Sequence, residues 1–320
     1  MPISKSIQKT VQAVRKAKKI LVVAHISPDG DTIGCLLALG LSFLQMGKKV
    51  TLLSQDGVPT RFQFLPGSEL VLSESNEKSD VAIAVDCGGI GRIGRIRPTF
   101  LKAKTKIQID HHDFGEPFGD IQVVEEEASA VGEIIYDLVR ALRVEMTPAI
   151  ATCLLVSIIV DTGAFRFSNL RPKTFDILSK LLKTGVNLQN LIEESYWQRS
   201  RAEAKLSGYS LSKSEFSKDG RVAWCFVTQK EFKQFGANIP DVDNVADDLR
   251  SIEGVKIAAL FRETPKKTFR VSLRSSHGIN VALVAKRFGG GGHHNSAGCF
   301  VRALESEKKK VIQALQELVS

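Results

Sequence analysis

Short apolar runs alternate with stretches of helical periodicity along the first half of the chain. The runs that predict strands are Ile20–Ala24, Val50–Leu53, Val81–Val85, Lys106–Ile109 and Ile121–Val124. Apolar residues at helical spacing predict helices over Thr32–Met46, Ser129–Leu142, Pro148–Ile159 and Pro172–Lys183. Continuous Val and Ile runs interleaved with helices are typical of a parallel sheet with helices on both faces. We therefore predict an α/β first domain, with its chemistry beyond the carboxyl ends of the strands.

The pattern changes near residue 187. Asn187–Ser214 is polar and helical in periodicity, with a break around Gln198–Ser200, which is typical of a connector. The segments predicted after it are a hairpin, two β runs, a strand and three helices: Glu215–Thr228, Val255–Arg262, Phe269–Arg274, Ser296–Arg302, Asn244–Ile252, Asn280–Arg287 and a basic helix from Ser306. We expect a first domain over residues 1–188, a helical linker over 189–214 and a smaller α+β domain over 215–320.

The composition indicates a basic protein and favours a cytoplasmic location. Lys and Arg exceed Asp and Glu by 9, an excess that suits a polyanionic partner or substrate. The five cysteines are scattered singly, which favours reduced thiols over a disulfide framework. Residues 1–19 lack the apolar centre of a signal peptide, and the longest apolar run, Ala149–Val160, is too short for a bilayer. We expect a cytoplasmic protein with no membrane partner; a homodimer is one oligomeric state that the sequence leaves open.

Four apolar segments of the first domain each end in polar side chains that can bind a metal ion. These side chains are His25, Asp29 and Asp31 after the first run, Asp86 after the third, Asp110, His111 and His112 after the fourth, and Asp161 after Ala149–Val160. A parallel sheet brings such ends to one edge. Carboxylates gathered there repel one another unless a cation neutralises them, and imidazole with carboxylate suits Mn²⁺, Zn²⁺ or Fe²⁺. The sequence therefore predicts a metal site at this edge.

Two simpler interpretations compete with a metal site. An aspartate after a strand usually caps the next helix, and this is the favoured interpretation of Asp86 or Asp161 taken singly. In addition, Gly89–Gly94 matches the GxGxxG pattern of dinucleotide-binding proteins, follows a strand and has Asp110 about 20 residues later. We do not favour a dinucleotide site, because Pro98 falls where the following helix should run. Both aspartates are also better explained by the metal site.

Taken together, the motifs resemble those of the DHH phosphoesterase superfamily. The matching segments, in order, are His25-Ile26-Ser27-Pro28-Asp29-Gly30-Asp31, the strand end at Asp86, Asp110-His111-His112, Asp161-Thr162-Gly163 and the glycine-rich Gly289-Gly290-Gly291-Gly292-His293-His294-Asn295-Ser296-Ala297-Gly298. The last resembles the signature of the DHH-associated C-terminal domain. In length the chain resembles the stand-alone oligoribonuclease/pAp-phosphatase group, the nanoRNases. RecJ-type exonucleases are usually longer, and family II pyrophosphatases have a different C-terminal domain.

The resemblance implies a catalytic first domain that holds two divalent ions, with Mn²⁺ as the expected metal. One ion would be held by His25, Asp29 and Asp86, and the other by Asp31, Asp86, His111 and Asp161, so that Asp86 bridges them. The family pattern further implies that Asp110 orients a histidine through its ring N–H. By the same comparison, His112 faces the phosphate, where it stabilises charge or assists proton transfer.

The resemblance also implies a substrate-binding second domain. Its predicted contacts, together with Arg92 of the first domain, are Arg262, Arg274, Gly290, Gly291, Gly292 and His293. A glycine run is usually just a flexible loop, but here it precedes a histidine and lies near strands that also carry Arg270. The chain departs from the family pattern at Asp86-Cys87-Gly88, where Asp-Thr-Ser/Ala is frequent. It departs again at His294, where a lysine is usual, so we assign His294 no role.

These implications predict a Mn²⁺-dependent phosphoesterase that uses metal-activated water. It would cleave short oligoribonucleotides to mononucleotides and would remove the 3′-phosphate of pAp. An aromatic content of 7% gives little support for a long stacking platform for single strands. A cyclic di-AMP or pApA phosphodiesterase would share every metal ligand and is the first alternative. A non-enzymatic nucleic-acid-binding protein on a degenerate phosphoesterase fold is the second alternative. It predicts that at least one metal ligand has been lost, but every ligand position of the family pattern is filled in this sequence.

Overall fold

The chain forms two compact units, Met1–Gln198 and Arg199–Ser320. The computed structural model describes residues 4–112, 115–237, 242, 244–276 and 278–319. Residues 1–3 and 320, at the outer ends of the two predicted domains, lie outside the described residues. Among the residues described, every helix is too short or too polar to cross a membrane.

The first unit is built on a parallel sheet, as predicted. Its strands are β1 Lys19–Val23, β2 Lys49–Leu53, β3 Val71–Leu72, β4 Val81–Val85, β5 Thr105–Asp110 and β6 Ile121–Val124. They lie in the order β3-β2-β1-β4-β5-β6, and every neighbouring pair is parallel. The order reverses between β1 and β4, so the carboxyl ends of these two strands flank the crevice where ligands bind in such sheets.

Helices cover both faces of this sheet. They are α1 Lys5–Lys16, α2 Gly30–Gln45, α3 Arg97–Leu101, α4 Val131–Leu142, α5 Pro148–Asp161, α6 Pro172–Leu182 and α7 Leu188–Ile192. Alternate residues of β1 supply two separate cores: Val22 packs with residues of α2, α4 and α5, whereas Val23 packs with Phe100 of α3. Helix α5 is apolar around most of its circumference because it is buried between α2 and α4. The predicted doubly covered sheet is confirmed.

The second unit contains a mixed sheet. Its strands are β7 Glu215–Phe216, β8 Val222–Val227, β9 Ile257–Glu263, β10 Thr268–Ser275, β11 Gly291–His293 and β12 Ser296–Arg302, and its helices are α8 Arg201–Ser212, α9 Gln229–Phe235, α10 Val245–Arg250, α11 Ala282–Arg287 and α12 Glu305–Glu317. The strand order is β11-β12-β10-β9-β8-β7, with β8 and β9 parallel and the other pairs antiparallel. The predicted α+β class is confirmed.

Local sequence explains most element boundaries and the short elements that were missed. The break at Gln198–Ser200 occurs where the Ser200 hydroxyl accepts a hydrogen bond from the Glu203 N–H and so caps α8. Helix α9 was not predicted, because it spans only two turns within a polar stretch. Pro98 does not prevent a helix, since it lies in the first turn of α3, where its missing N–H is tolerated.

A partly buried ion pair joins α4 to Arg171, the residue that precedes α6. Glu133 is fully buried, and its carboxylate accepts hydrogen bonds from Arg171 Nε at 2.8 Å and Thr174 Oγ1 at 2.5 Å. We expect Arg171→Met to lower the free energy of unfolding by about 3 kcal/mol, because it leaves a buried carboxylate without its cation. Urea denaturation measures this loss. Replacing the exposed Lys180 of α6 by Met should change the free energy of unfolding by less than about 0.5 kcal/mol.

A double variant separates charge from packing. Glu133→Leu combined with Arg171→Met removes both charges, so it should recover a large part of the stability that Arg171→Met loses. If the double variant were no more stable than Arg171→Met alone, the unpaired carboxylate would not be the cause.

Candidate metal centre

The predicted ligands of the first unit meet at the carboxyl edge of its sheet. His25 follows β1, Asp86 follows β4, and Asp110 is the last residue of β5. Asp29 caps the start of α2, with its Oδ1 accepting a hydrogen bond from the Thr32 N–H at 3.0 Å. The capping interpretation and the metal-ligand interpretation of Asp29 are therefore compatible. Asp161 reaches the edge differently from the strand-end residues, because it is the last residue of helix α5.

His25, Asp29 and Asp86 form one group of candidate ligands. One ligand atom from each lies within 4.8 Å of the other two. His25 Nδ1 is 2.8 Å from the carbonyl oxygen of Ile26. Because a carbonyl oxygen only accepts hydrogen bonds, Nδ1 carries the ring proton and donates a hydrogen bond to that oxygen. This leaves the lone pair of Nε2 directed at Asp86 Oδ2, 3.3 Å away. A proton or a cation must lie between these two atoms.

Asp31, His111 and Asp161 form a second group, again with ligand atoms within 4.8 Å of one another. His111 Nδ1 lies 2.8 Å from the carbonyl oxygen of Ala128, which holds the ring so that Nε2 faces the carboxylates. His111 Nε2 is 3.3 Å from Asp161 Oδ2 and 3.8 Å from Asp31 Oδ2.

Asp86 lies between the two groups. Its Oδ2 faces His25, while its Oδ1 is 3.8 Å from His111 Nε2. Its backbone has a φ of 54°, in the left-handed region. That conformation is uncommon outside glycine, although aspartate and asparagine adopt it more readily than most residues, and such strain concentrates at functional sites.

The electrostatics of the cluster favour a cation. Burial, followed by the neighbouring Asp86, raises the pKa of Asp31 to about 7. Burial, Asp31 and Asp29 raise the pKa of Asp161 well above its ordinary value. Burial lowers the pKa of His25 and of His111, but the facing carboxylates outweigh it, so both values are raised overall. Without a metal ion the cluster must take up protons, and a divalent cation can replace them. The donor set therefore fits divalent ions.

Asp110 and His112 form a separate pair beside the ligands. Asp110 is fully buried, and its Oδ1 lies 2.7 Å from Nδ1 of the partly exposed His112. Burial lowers the pKa of His112, but the hydrogen bond to Asp110 and the charge of Asp86 outweigh it and raise the pKa to about 9. In this arrangement Asp110 can fix the orientation of the His112 ring and support its positive charge.

Two residues at the cluster were not predicted. Thr32 is fully buried, and its Oγ1 lies 2.6 Å from Asp86 Oδ2 and 2.7 Å from His25 Nε2. Ser157 Oγ donates to Asp31 Oδ1 at 2.5 Å. Ser157 precedes Asp161 by four residues in an otherwise largely apolar helix, so the two share a face, and this spacing was the available sequence signal.

Two glycines allow the loops around the cluster to approach closely. Gly94 has a φ of 71°, and a Cβ there would lie 2.1 Å from Gln55 Oε1 and 2.5 Å from Ile26 Cγ2. Gly30 has ordinary backbone angles for a helix start. A Cβ on Gly30 would lie 2.5 Å from Val160 Cγ2, so glycine is needed there for space rather than for a left-handed turn.

Substitution of Thr32 tests whether its hydroxyl, which contacts two of the candidate ligands, supports metal binding. We expect Thr32→Val to weaken Mn²⁺ binding about tenfold, because the hydroxyl that holds His25 and Asp86 is lost without a change in volume. Thr32→Ser keeps the hydroxyl and should bind Mn²⁺ nearly as the unchanged chain does. Calorimetric titration with Mn²⁺ measures both. Equal weakening by the two variants would show that the methyl group, not the hydroxyl, is important.

The predicted substrate contacts lie in both units. In the first, Arg92 Nη2 is 3.3 Å from His25 Nδ1, and the Arg92 carbonyl accepts a hydrogen bond from the Ile26 N–H. Arg92 belongs to the 3₁₀ segment Ile90–Ile96, and the next α-helix begins only at Arg97. A dinucleotide-binding motif opens directly into a helix, so this geometry does not support that alternative.

In the second unit, Gly291, Gly292 and His293 form β11, and Gly290 directly precedes it. Arg262 is only 1% exposed and its Nη2 donates to Ser272 Oγ at 2.6 Å. Burial, with the charges of Arg270 and Arg274, lowers the pKa of Arg262 to about 9. Arg274 Nε donates to Asp247 Oδ1 at 2.9 Å. These arginines lie on one face of the sheet, since they alternate along the paired strands β9 and β10.

Comparisons with known proteins decide the family. The model of the DHH family, N-terminal domain, matches residues 19–158, and that of the DHHA1 domain matches residues 219–320. The chain is 31% identical over 304 residues to the bifunctional oligoribonuclease and PAP phosphatase NrnA of Thermus thermophilus, covering 93% of this chain and 89% of that protein. The chain belongs to the DHH family. As a DHH protein it is a hydrolase of phosphoester bonds, so the prediction of an enzyme is confirmed.

Two further relatives of this DHH protein are informative. An exopolyphosphatase-related protein from Bacteroides fragilis has a crystal structure that superposes with a TM-score of 0.89, at 26% identity and with 98% of each chain covered. The cyclic-di-AMP phosphodiesterase GdpP of Geobacillus thermodenitrificans is 25% identical over 89% of this chain, but this chain spans only 45% of that protein. The first supports the fold over the whole chain, and the second is the relative whose name matches the alternative substrate.

Proposed function

We propose that the chain is a two-metal phosphoesterase. It hydrolyses short oligoribonucleotides to mononucleotides and removes the 3′-phosphate of pAp. The observation that carries this proposal is the pair of candidate ligand groups that have Asp86 between them, beside the point where the strand order of the sheet reverses. The substrates are proposed because the chain resembles, over nearly its whole length, relatives named for both activities.

Six side chains would hold the two ions. His25, Asp29 and Asp86 would hold one, and Asp31, Asp86, His111 and Asp161 the other, and mixed imidazole and carboxylate donors suit Mn²⁺. Bound divalent ions at such a site lower the pKa of a water molecule and neutralise phosphate charge. Ser157, the N–H of Val131 and Thr32 hold the carboxylates in place, so the ligand geometry is fixed before an ion binds.

The remaining residues of the first unit would act on the phosphate directly. Protonated His112, held by Asp110, would donate a hydrogen bond to a phosphate oxygen or a proton to the leaving oxygen. Arg92 would contribute a fixed positive charge beside His25.

We assign catalysis to residues 1–188 and substrate binding to residues 215–320, joined by the helical linker 189–214. Arg274, the glycines Gly290, Gly291 and Gly292, and His293 would contact the nucleotide. Arg262 is buried against Ser272, so it would add positive charge to the same face of the sheet and not touch the nucleotide directly. Exposed backbone N–H groups and arginines are suited to phosphate and base edges. We place this activity in the cytoplasm, where thiols stay reduced, because all five cysteines are free.

Hydrolysis of cyclic di-AMP or pApA is the second candidate function. The observation that favours it is the similarity to the cyclic-di-AMP phosphodiesterase GdpP over most of this chain. Because such an enzyme would use the same metal ligands, the ligand geometry alone does not discriminate between the two functions.

A substrate panel separates the candidates. Purified protein with Mn²⁺ is incubated with pAp, pApA, cyclic di-AMP and a labelled RNA 5-mer, and Asp86→Asn serves as the control for contaminating nucleases. We expect turnover of pAp and stepwise shortening of the 5-mer. Cleavage of cyclic di-AMP with no action on pAp or the 5-mer would replace our proposal with the second candidate.

A further inference from the structure

The amino ends of the strands in the first sheet are strongly basic. The segments 15–19, 48–49, 77–80 and 102–106 precede or open β1, β2, β4 and β5. We call their basic residues the basic edge: Arg15, Lys16, Lys18, Lys19, Lys48, Lys49, Lys78, Lys102, Lys104 and Lys106. Only Glu77 and Asp80 in these segments, and Asp120 at the start of β6, are acidic. This surplus of seven accounts for most of the net charge of +9.

The basic edge lies opposite the candidate metal centre. All strands of this sheet are parallel, so their amino ends share one edge and the metal ligands the other. A strand of five residues separates the two edges by about 16 Å. Positive charge placed there is beyond a Debye length of about 8 Å at physiological salt, so it contributes little to binding at the metal centre.

Some basic-edge side chains are held by acidic neighbours and by the backbone. Lys49 pairs with Glu77 at 3.0 Å, Lys104 with Asp80 at 3.0 Å and Lys106 with Asp120 at 2.9 Å. Lys48 Nζ donates to the carbonyl oxygens of Arg15 and Ala17.

The other basic-edge side chains face solvent. Within the described part of the chain, no ion pair is formed by Arg15, Lys16, Lys18, Lys19, Lys78 or Lys102, and all six are exposed. The basic edge therefore has four cationic side chains held in place and six available to a partner.

We propose that the basic edge binds the phosphodiester backbone of a long nucleic acid, at a surface separate from the catalytic centre. Neighbouring strands are about 4.8 Å apart, so β2, β1, β4 and β5 spread the charge over about 15 Å, enough to follow several phosphates. The four segments contain no aromatic residue, so base stacking is not available and binding is independent of sequence. Such binding would hold the enzyme near the polymers from which short oligonucleotides arise.

A charge-placement experiment tests this proposal. The edge variant carries Lys16→Glu, Lys18→Glu and Lys102→Glu, and the matched variant carries Lys213→Glu, Lys218→Glu and Lys266→Glu on exposed lysines of the second unit. Both variants have the same net charge. Fluorescence anisotropy in EDTA, which prevents hydrolysis, measures binding to a labelled 30-nucleotide RNA, to DNA of the same sequence and to vesicles containing phosphatidylserine.

We expect the edge variant to bind the 30-mer RNA at least tenfold more weakly, and the matched variant to change binding less than threefold. The negative slope of log affinity against log salt concentration should become shallower by about 2, because three phosphate contacts are lost. If the edge variant loses affinity equally for RNA and DNA, the edge binds the phosphodiester backbone alone. If it loses affinity only for RNA, the edge binds RNA specifically. Hydrolysis of pAp should be unchanged in both variants, which separates this proposal from the proposed activity.

Three results would overturn the proposal. If both triple variants lost the same affinity for the 30-mer RNA, binding would depend only on net charge. If neither variant lost affinity, the basic edge would have no contact with nucleic acid. A loss confined to the vesicles would assign the edge to a membrane surface. The neutral variant Lys16→Gln, Lys18→Gln and Lys102→Gln, checked by thermal unfolding, should give a smaller loss in the same direction and guards against misfolding of the charge-reversed chain.

Discussion

Asp86→Asn is expected to abolish hydrolysis, lowering kcat by at least about 10³-fold. Asp86 is the residue whose two carboxylate oxygens face both candidate ligand groups, so its loss weakens both ion sites at once. Ions at such a centre supply several kcal/mol of charge stabilisation in the transition state, and each 1.36 kcal/mol is a factor of ten in rate. The measurement is kcat for pAp at saturating Mn²⁺, with Mn²⁺ binding measured in parallel by calorimetry.

Asparagine is the appropriate replacement at this position. It adopts the left-handed backbone conformation of Asp86 and has the same volume, so the chain should fold as before. Asp120→Asn, an exposed position at the other edge of the sheet, is the matched control and should keep kcat within about twofold. If Asp86→Asn retained a tenth or more of the activity, a bridging role for Asp86 would be wrong.

His112→Asn is expected to lower kcat by about 10²- to 10⁴-fold, the range typical of general acid–base catalysis, while Mn²⁺ affinity changes little. His112 is held by Asp110 and is not part of the two groups assigned to the ions, so its removal should affect the phosphate rather than the metal. Steady-state kinetics with pAp and Mn²⁺ calorimetry measure the two effects separately.

A histidine without an assigned role provides the control for His112. His294→Asn in the second unit should leave kcat within a few-fold of the unchanged chain. If His112→Asn weakened Mn²⁺ binding as strongly as it lowered kcat, His112 would instead be a metal ligand. His112 Nδ1 lies 3.7 Å from Asp86 Oδ1, close enough for both side chains to bind one ion, so the Mn²⁺ titration discriminates between the two roles.

The sheet and the position of the centre could be predicted because both follow from local patterns. Apolar runs such as Val81–Val85 coincide with strands, because parallel strands are buried on both faces and contain almost no polar residue. Once the strands are parallel, polar residues at their carboxyl ends must share an edge, so the sequence alone places His25, Asp86 and Asp110 at one edge, where the structure also has them.

The remaining parts of the centre depend on contacts between distant segments. Thr32 resembles an ordinary helix residue until the fold brings Asp86, 54 positions away, against its hydroxyl. Gly30 resembles an ordinary turn residue between two aspartates, but the structure requires glycine there for the space beside Val160 of α5. Such requirements arise from packing of helices whose mutual position the sequence does not state, so periodicity and spacing could not reveal them.

The central claim is that two divalent ions bind the ligand groups joined by Asp86. Anomalous diffraction at the manganese absorption edge, from crystals grown with Mn²⁺, tests it most directly. We predict two anomalous peaks per chain, one among His25, Asp29 and Asp86 and the other among Asp31, Asp86, His111 and Asp161. A single peak, or peaks placed away from these side chains, would contradict the account.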